Sequence, residues 1–513
     1  MPARSPTVSL IAMRGRGLTW WIGLMVLALP AWALQPKPVS PEPPPLAREM
    51  RGMWVASVGN IDWPSRPGLS TAQQQSELRA LLNLALRLRL NTVILQVRTG
   101  ADALYASSLE PWSEYLTGRM GQAPSPAYDP LRFACDEAHA RGLELHAWFN
   151  PFRARYNKTV SPLSSGHLIQ RHPDWIIAYG PYRWLDPGIP EARDHVLKVA
   201  LDIVSRYDID GLHFDDYFYP YPIKVADGVL LPFDDGRSYE RYRRGGGRLD
   251  QGDWRRDCVN RFVESLYSAV HRAKPWVKVG ISPFGIWRPN TPPGIRGLDQ
   301  YGMLYADPML WLNSGWCDYM APQLYWALSQ REQAFDPLLR WWGSQNTRKR
   351  LLVPGLNSAE AGGKIPPVDI LKQVQISRQD RADGVLFWNA SSLQDNQGGV
   401  AAALGRDLFS RPALVPATPW LGKEAPGAPK LDGKLSLRNA LLSLKWEPDT
   451  NAVVRVQVLR SRYGVQWMDE TLPPQTRERS FDRRLNQGIP DEVRLVPVGR
   501  TGMAGESAVW VKP

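Results

Sequence analysis

Two adjacent carboxylates, Asp215 and Asp216, lie between an apolar stretch and a run of aromatic residues in segment 207–220. Leu212 and Phe214 give the stretch before them the character of a buried β-strand. In a parallel β/α barrel, the C-terminal ends of the strands hold the active site. Carboxylates act on glycosidic bonds, and aromatic rings stack on sugars. The segment therefore suggests sugar chemistry, with a helix cap or a structural cation site as the alternatives.

The elements that must position these acids alternate along the chain. Short apolar segments, each leading to a helical or loop segment, predict eight β-strands at 53–58, 92–97, 143–149, 211–218, 277–284, 319–325, 351–356 and 384–388. Strands that alternate with helices between residues 48 and 410 predict an α/β fold, a (β/α)8 TIM-like barrel. A doubly wound sheet is disfavoured, because no Gly-x-Gly-x-x-Gly motif follows the first strand.

Polar and aromatic side chains are concentrated near the ends of the predicted strands. The acids expected to be catalytic are Asp215, Asp216 and Asp318. The residues expected to bind substrate are Gln96, Arg98, Trp148, Asn150, Arg153, His213, Tyr217, Trp287, Arg288, Gln323, Tyr325, Trp326 and Trp388. The arginines either bind a substrate carboxylate or pair with the acids, since buried carboxylates need partners. Each tryptophan is either a sugar platform or a core residue.

The regions outside the barrel have different compositions. Residues 1–33 resemble a cleavable signal peptide, with arginines before a short apolar run and Ala31-Trp-Ala33 at its end. A Pro-rich tether is predicted at 34–47 and a linker at 411–430. Residues 431–513 predict a small all-β sandwich, fibronectin type III-like or immunoglobulin-like, because short apolar strands alternate with polar turns.

Composition excludes several classes of function. The net charge is +12, but lysine and arginine are dispersed with no long basic run, so nucleic acid is not an expected partner. Three widely spaced cysteines do not form a disulfide framework. Seven scattered histidines show no metal-ligand spacing, so neither a metal nor a cofactor is predicted. The 22 tryptophans and 18 tyrosines are more than a core needs and favour an aromatic cleft.

Five motifs resemble the glycosyl hydrolase-like family 10, and the resemblance extends from about residue 48 to 410. They are Arg51-Gly-Met-Trp-Val-Ala-Ser57, His146-Ala-Trp-Phe-Asn-Pro151, Gly211-Leu-His-Phe-Asp-Asp-Tyr-Phe-Tyr-Pro220, Gly280-Ile-Ser-Pro-Phe-Gly-Ile-Trp-Arg288 and Asp318-Tyr-Met-Ala-Pro-Gln-Leu-Tyr-Trp326. This family includes a divisome-localised glycosyl hydrolase of Gram-negative bacteria.

The resemblance implies a TIM-like barrel that cleaves peptidoglycan glycan strands, particularly denuded strands that lack stem peptides. It also implies a periplasmic or secreted protein, with septal cell-wall proteins as candidate partners. No membrane span is expected after signal cleavage. The chain departs from the family's best-known member, a lipoprotein, because no lipidation cysteine follows the apolar run.

The fourth-strand motif is also similar to the Asp-Gly-x-Asp-x-Asp-x-Glu pattern of family 18 chitinases. Here His213 replaces the second acid, and Tyr217 occupies the position of the catalytic glutamate. The proton donor is therefore expected to be Asp216 or an acid from another strand. Two alternative functions are an inert barrel that binds glycan at the cell wall or septum and a hydrolase of another polysaccharide.

Overall fold

The eight predicted barrel strands are present and run parallel. In this computed structural model they are β1 (Met50–Val55), β2 (Thr92–Arg98), β3 (Glu144–Phe149), β4 (Gly211–Phe214), β5 (Lys278–Ile281), β6 (Tyr319–Met320), β7 (Leu351–Leu352 and Gly355–Asn357) and β8 (Gly384–Trp388). The first part of β7 pairs with β6 and the second part with β8, so the sheet closes through this one segment. The fold class is therefore confirmed as a TIM-like barrel followed by small antiparallel sheets.

The structure describes residues 42–156, 161–225, 228–436, 440–449, 452–485 and 487–513. The predicted signal peptide, 1–33, and most of the tether, 34–47, lie outside these residues. Residues 43–513 form one compact unit. Within the described part of the chain, no helix has both the length and the apolar character needed to cross a membrane.

Long helices follow the first seven strands. They are α1 (Thr71–Arg87), α2 (Pro130–His139), α3 (Pro190–Arg206), α4 (Gln251–Ala273), α5 (Pro308–Ser314), α6 (Phe335–Gln345) and α7 (Pro367–Gln379). Ser70 starts α1 with a capping box, in which its side chain and that of Gln73 each accept a backbone hydrogen bond. Pro190 is the first residue of α3, where its missing N–H leaves no helical bond unmade.

Four predicted strands, the first, fourth, fifth and sixth, end earlier than expected, and the fourth and sixth matter for the barrel mouth. The fourth strand was expected to reach residue 218 but ends at Phe214, where the chain turns and Asp215 accepts a bond from the Tyr217 backbone N–H. The sixth was expected to span 319–325 but has only two residues, since Pro322 lacks the N–H that a strand ladder needs. In both cases the residues after the shortened strand belong to a loop at the barrel mouth and not to the strand.

A repeated device fixes the N-terminal end of the barrel, its base. The residue immediately before each even-numbered strand uses its side chain to accept a hydrogen bond from a backbone N–H of the preceding odd-numbered strand. These residues are Asn91, Asp210, Asp318 and Asp383, at 2.7–2.9 Å from Arg51, Leu145, Val279 and Leu352 respectively. Asp318 therefore lies at the base and not at the mouth, and the expectation that it joins Asp215 and Asp216 is wrong.

The described residues of the C-terminal region form seven antiparallel strands in two sheets. They are β9 (Lys430–Ser436), β10 (Leu441–Glu447), β11 (Val454–Tyr463), β12 (Gln466–Leu472), β13 (Glu478–Asp482), β14 (Glu492–Gly499) and β15 (Ala508–Val511). The sheet orders are β9-β10-β13 and β12-β11-β14-β15. A shared apolar core that includes Trp446 and Leu459 lies between them.

The C-terminal sheets also contact the base of the barrel. Arg455 of β11 donates to Asp208 at 2.8 Å and lies 3.0 Å from Asp210. Trp420, in the predicted linker, donates to Asp318 at 2.8 Å. Leu414 in the same segment is buried and packs against Val458. Segment 411–430 is therefore packed in part between the barrel and the sheets, and is not a free spacer.

Candidate active site

Three tryptophan rings lie in contact at the C-terminal end of the barrel interior, its mouth. Trp388 contacts Trp54 and Trp148, with ring centroids 6.4 and 6.1 Å apart. The Trp54 indole donates to His213 Nε2 at 3.1 Å, so this nitrogen accepts and the proton of the neutral ring is on Nδ1. Burial holds the pKa of His213 well below its usual value. His213 is thus a fixed, uncharged part of the barrel interior and has no contact with solvent.

Asp215 is held by donors from β3 and the turn after it. The Trp148 indole donates to Oδ2 at 3.0 Å, and the Asn150 amide donates to Oδ1 at 3.0 Å and to Oδ2 at 3.2 Å. Burial raises the pKa of this carboxyl, while the charge of Arg153 and the two side-chain donors oppose that rise. The donors favour the ionised form and fix both oxygens in place.

Asp216 lies in a different environment although it is the next residue. Its side chain is almost completely buried and accepts a hydrogen bond from the Tyr221 hydroxyl, while a side-chain hydrogen bond from Gln323 also lowers its pKa. Burial and then the neighbouring charge of Asp215 raise the pKa of Asp216 to about 7. A carboxyl with this pKa still carries its proton in a substantial fraction of molecules at neutral pH, as a proton donor must.

Arg153 lies on the same side of the mouth as Asp215. Its guanidinium is within 5.3 Å of the ring centres of Tyr217 and Tyr156, and its Nε donates to the Thr99 carbonyl at 2.8 Å. Among the residues that the structure describes, no acceptor pairs with its two terminal nitrogens. The group is therefore able to bind an anion that enters the mouth.

Further predicted residues surround this group. Gln96 is completely buried; its Oε1 accepts from two backbone N–H groups, and its Nε2 has no partner within the described chain. Gln323 donates to the Ser282 carbonyl at 2.9 Å. Tyr325 and Trp326 are half-buried, as are Tyr217 and Trp388. Burial and then the charges of Asp216 and Asp215 raise the pKa values of Tyr217 and Tyr325, so these two partly open rings lie near the acids.

Three residues expected to bind substrate lie elsewhere. Arg98 is completely buried and forms a bidentate pair with Glu110, at 2.7 and 2.6 Å. A bulge between Gln96 and Arg98 shifts the strand register, so Arg98 does not follow the inward alternation of β2. Arg288 is exposed beside Asp299, and Trp287 stacks on Trp341 away from the acids. The structure thus does not bring Arg98, Arg288 or Trp287 into the mouth.

Sequence reasoning missed Trp54, Tyr221 and Glu110. Trp54 lies within the first family motif, and its inward position on β1 could have been found from the alternation of that strand. Tyr221 follows the acid-containing segment by one residue and carried no separate signal. No group of three or more potential metal ligands occurs among the residues described in the structure.

Comparison with known proteins agrees with these features. The family model described as Glycosyl hydrolase-like 10 matches residues 49–366. The chain is 42% identical over 422 residues to Glycosyl hydrolase YngK of Bacillus subtilis (strain 168), which covers 78% of this chain and 80% of that protein. It is 37% identical over 342 residues to Glycosyl hydrolase DigH of Escherichia coli (strain K12), which covers 62% of this chain and 76% of that protein.

Solved structures give a weaker likeness. The PgaB (BpsB) glycoside hydrolase domain from Bordetella bronchiseptica aligns with a TM-score of 0.45 at 15% identity, over 69% of this chain and 98% of that domain. The family match and the two relatives agree with the sequence motifs and with the paired carboxylates at the barrel mouth. The chain therefore belongs to the glycosyl hydrolase-like 10 family, a family of glycoside hydrolases, as its motifs predicted.

Proposed function

We propose that this glycoside hydrolase cleaves the glycan strands of peptidoglycan and prefers strands without stem peptides. The observation that carries the proposal is the unequal pair at the mouth. Asp215 is bound by two side-chain donors, whereas Asp216 is buried beside it with a pKa of about 7. Adjacent carboxyls whose environments separate their pKa values are characteristic of acid–base catalysis.

The roles follow from these environments. Asp216 protonates the oxygen of the leaving sugar, and the bond between that oxygen and the anomeric carbon breaks. The oxygen of a water molecule supplies the new bond to the anomeric carbon, and the proton that this water releases returns the two carboxyls to their starting state. Asp215, fixed by Trp148 and Asn150, presents its negative charge to the positive charge that develops at the sugar ring. Because both oxygens of Asp215 are already held, the carboxylate needs little reorganisation during the reaction.

Arg153 supports the choice of substrate. Removal of a stem peptide exposes the lactyl carboxylate of muramic acid, and a guanidinium with two available nitrogens can bind a carboxylate through two hydrogen bonds. A peptide-bearing lactyl group has no such carboxylate. Stacking on the half-buried rings Trp388 and Trp326 would hold the neutral faces of the sugars.

The location of the protein is part of the proposal. The N-terminal sequence supports export to the periplasm or beyond, where peptidoglycan is found. After residue 430 the strands form one sheet of three strands and one of four. This arrangement supports a fibronectin type III-like sandwich. A role at the septum, with cell-wall proteins as partners, stays a prediction.

The test is incubation of the purified protein with amidase-treated and untreated peptidoglycan, followed by mass analysis of the released fragments. We expect faster release from the amidase-treated strands. Arg153→Gln should reduce that advantage, whereas the matched control Arg288→Gln, which changes an exposed guanidinium outside the mouth, should preserve it. Equal rates on both substrates would refute the preference, and binding without any new chain ends would favour an inert glycan-binding barrel.

A further inference from the structure

We propose that Glu110 and Arg98 are positioning residues that act on Asp215 through Asn150. The proposal rests on the assignment of Asp215 to the reaction. Both side chains of the pair are completely buried, and Arg98 Nε and Nη2 each donate to one oxygen of Glu110. The pair lies outside the mouth, and within the described residues neither side chain forms a hydrogen bond with Asp215.

The connection runs through the turn after β3. Arg98 Nη1 donates to the carbonyl oxygens of Asn150 and Pro151. The Asn150 amide nitrogen donates to both oxygens of Asp215, and its amide oxygen accepts from the backbone N–H of Arg153 at 2.8 Å. One guanidinium therefore holds the backbone of the turn that presents both Asn150 and Arg153 to the mouth.

Glu110 fixes the direction of that guanidinium. Its two oxygens accept hydrogen bonds from Nε and Nη2 of Arg98. This leaves Nη1 of Arg98 to donate to the turn after β3. His195 of α3 also contacts Glu110, at 3.2 Å. Burying an ion pair costs free energy that apolar residues of equal volume would avoid, and a buried pair is therefore weak evidence for a purely stabilising role. The planar guanidinium of Arg98, held by Glu110, donates in a fixed direction, and a pair of apolar residues could not do this.

The first experiment compares Glu110→Gln, Arg98→Lys and the apolar double variant Arg98→Met/Glu110→Met on amidase-treated glycan. The double variant removes the buried charges together, so its fold should survive even if a single variant does not fold. We expect each folded variant to lose about 10- to 100-fold in kcat with little change in KM, as misplacement of a catalytic group does. Wild-type kcat in a folded double variant would overturn the proposal.

A double-mutant cycle tests the route through Asn150. If Glu110 acts through this residue, Asn150→Ala and Glu110→Gln together should lower kcat no more than the larger single effect. If the fold losses in kcat of the two single variants multiply in the double variant, Glu110 acts by another route. That result would overturn the proposal.

A second readout needs no substrate and separates this proposal from the proposed function. The Trp148 indole N–H donates to Asp215, so its NMR resonance, identified by its absence in Trp148→Phe, reports the charge of that carboxyl. In Glu110→Gln a displaced Asn150 should move the titration midpoint of this resonance to higher pH, because a donor to the charged form is weakened. An unchanged midpoint would overturn the proposal, whether or not any glycan is cleaved.

Discussion

Removal of the Tyr221 hydroxyl should move the pH dependence of the enzyme in a defined direction. This hydroxyl donates to Asp216 and opposes the effects of burial and of Asp215, which together raise the pKa of Asp216 to about 7. Hydrogen bonds to charged groups contribute about 1.5–3 kcal/mol, and one pH unit corresponds to about 1.4 kcal/mol. In Tyr221→Phe the pKa of Asp216 should therefore rise by about one to two pH units, and the proton donor should stay protonated to higher pH.

The assay is kcat/KM for release of new reducing ends, measured from pH 4 to pH 10. In the wild type we expect the rate to fall above about pH 7 as Asp216 loses its proton. Tyr221→Phe should shift that fall to about pH 8–9. Tyr219→Phe is the matched control, since this buried hydroxyl has no partner within the described residues and its loss should leave the profile unchanged. An unshifted profile in Tyr221→Phe, or a shift to lower pH, would refute the reasoning.

Three further predictions concern stability. Asp216→Asn should stabilise the fold by about 2–4 kcal/mol at pH 8, because the pKa of Asp216 is about 7 in the folded chain and about 4 in the unfolded chain, so the cost of ionising it in the fold builds up between these two pH values; the gain should disappear in melts below about pH 3, where the carboxyl is protonated in both states. Asp318→Asn should lower the melting temperature, with a loss of about 2–3 kcal/mol, but leave kcat unchanged, because Asp318 accepts four bonds at the barrel base. Arg455→Gln should cost roughly 3 kcal/mol in chemical unfolding by leaving buried Asp210 with one cation fewer, whereas Arg484→Gln, at a solvent-exposed pair, should leave the free energy of unfolding nearly unchanged.

The fold could be predicted because periodic apolar segments carry it. Each of the eight strand positions was found, since a strand buried on both faces is a short apolar run in the sequence. Asp318 directly precedes the predicted sixth strand, 319–325, so its place at the base already followed from the predicted bounds, and the error was to overlook the direction of the strand. An acid just before a strand and an acid just after one look alike in sequence, but they lie at opposite ends of the barrel. Pro322 was the available signal that this strand ends early.

The site could be predicted only in part, because side-chain direction depends on local irregularities. Asp215, Trp148 and Asn150 were expected from alternation and are in contact. Arg98 was expected in the mouth, but the bulge in β2 turns it towards Glu110. A bulge changes the direction of every later residue and leaves no periodic pattern. The partners of a buried charge likewise depend on loops that are distant in sequence.

The C-terminal strands show the same limit. Val458 of β11 belongs to an apolar cluster with Leu414 of the linker segment, whereas its neighbour Leu459 enters the core of the sandwich. Alternation predicts that one face is buried, but it does not identify the surface that covers it. A short Pro-rich segment that packs on a sheet has no periodicity of its own.

The central claim is that Asp216 donates the proton when this enzyme cleaves peptidoglycan glycan. The most direct test is the initial rate at which wild type and Asp216→Asn generate new reducing ends on amidase-treated strands at pH 6, with binding of the same strands measured in parallel. The account predicts that Asp216→Asn binds the strands with near wild-type affinity and loses at least about 100-fold in rate. A rate within a few-fold of the wild type would contradict it.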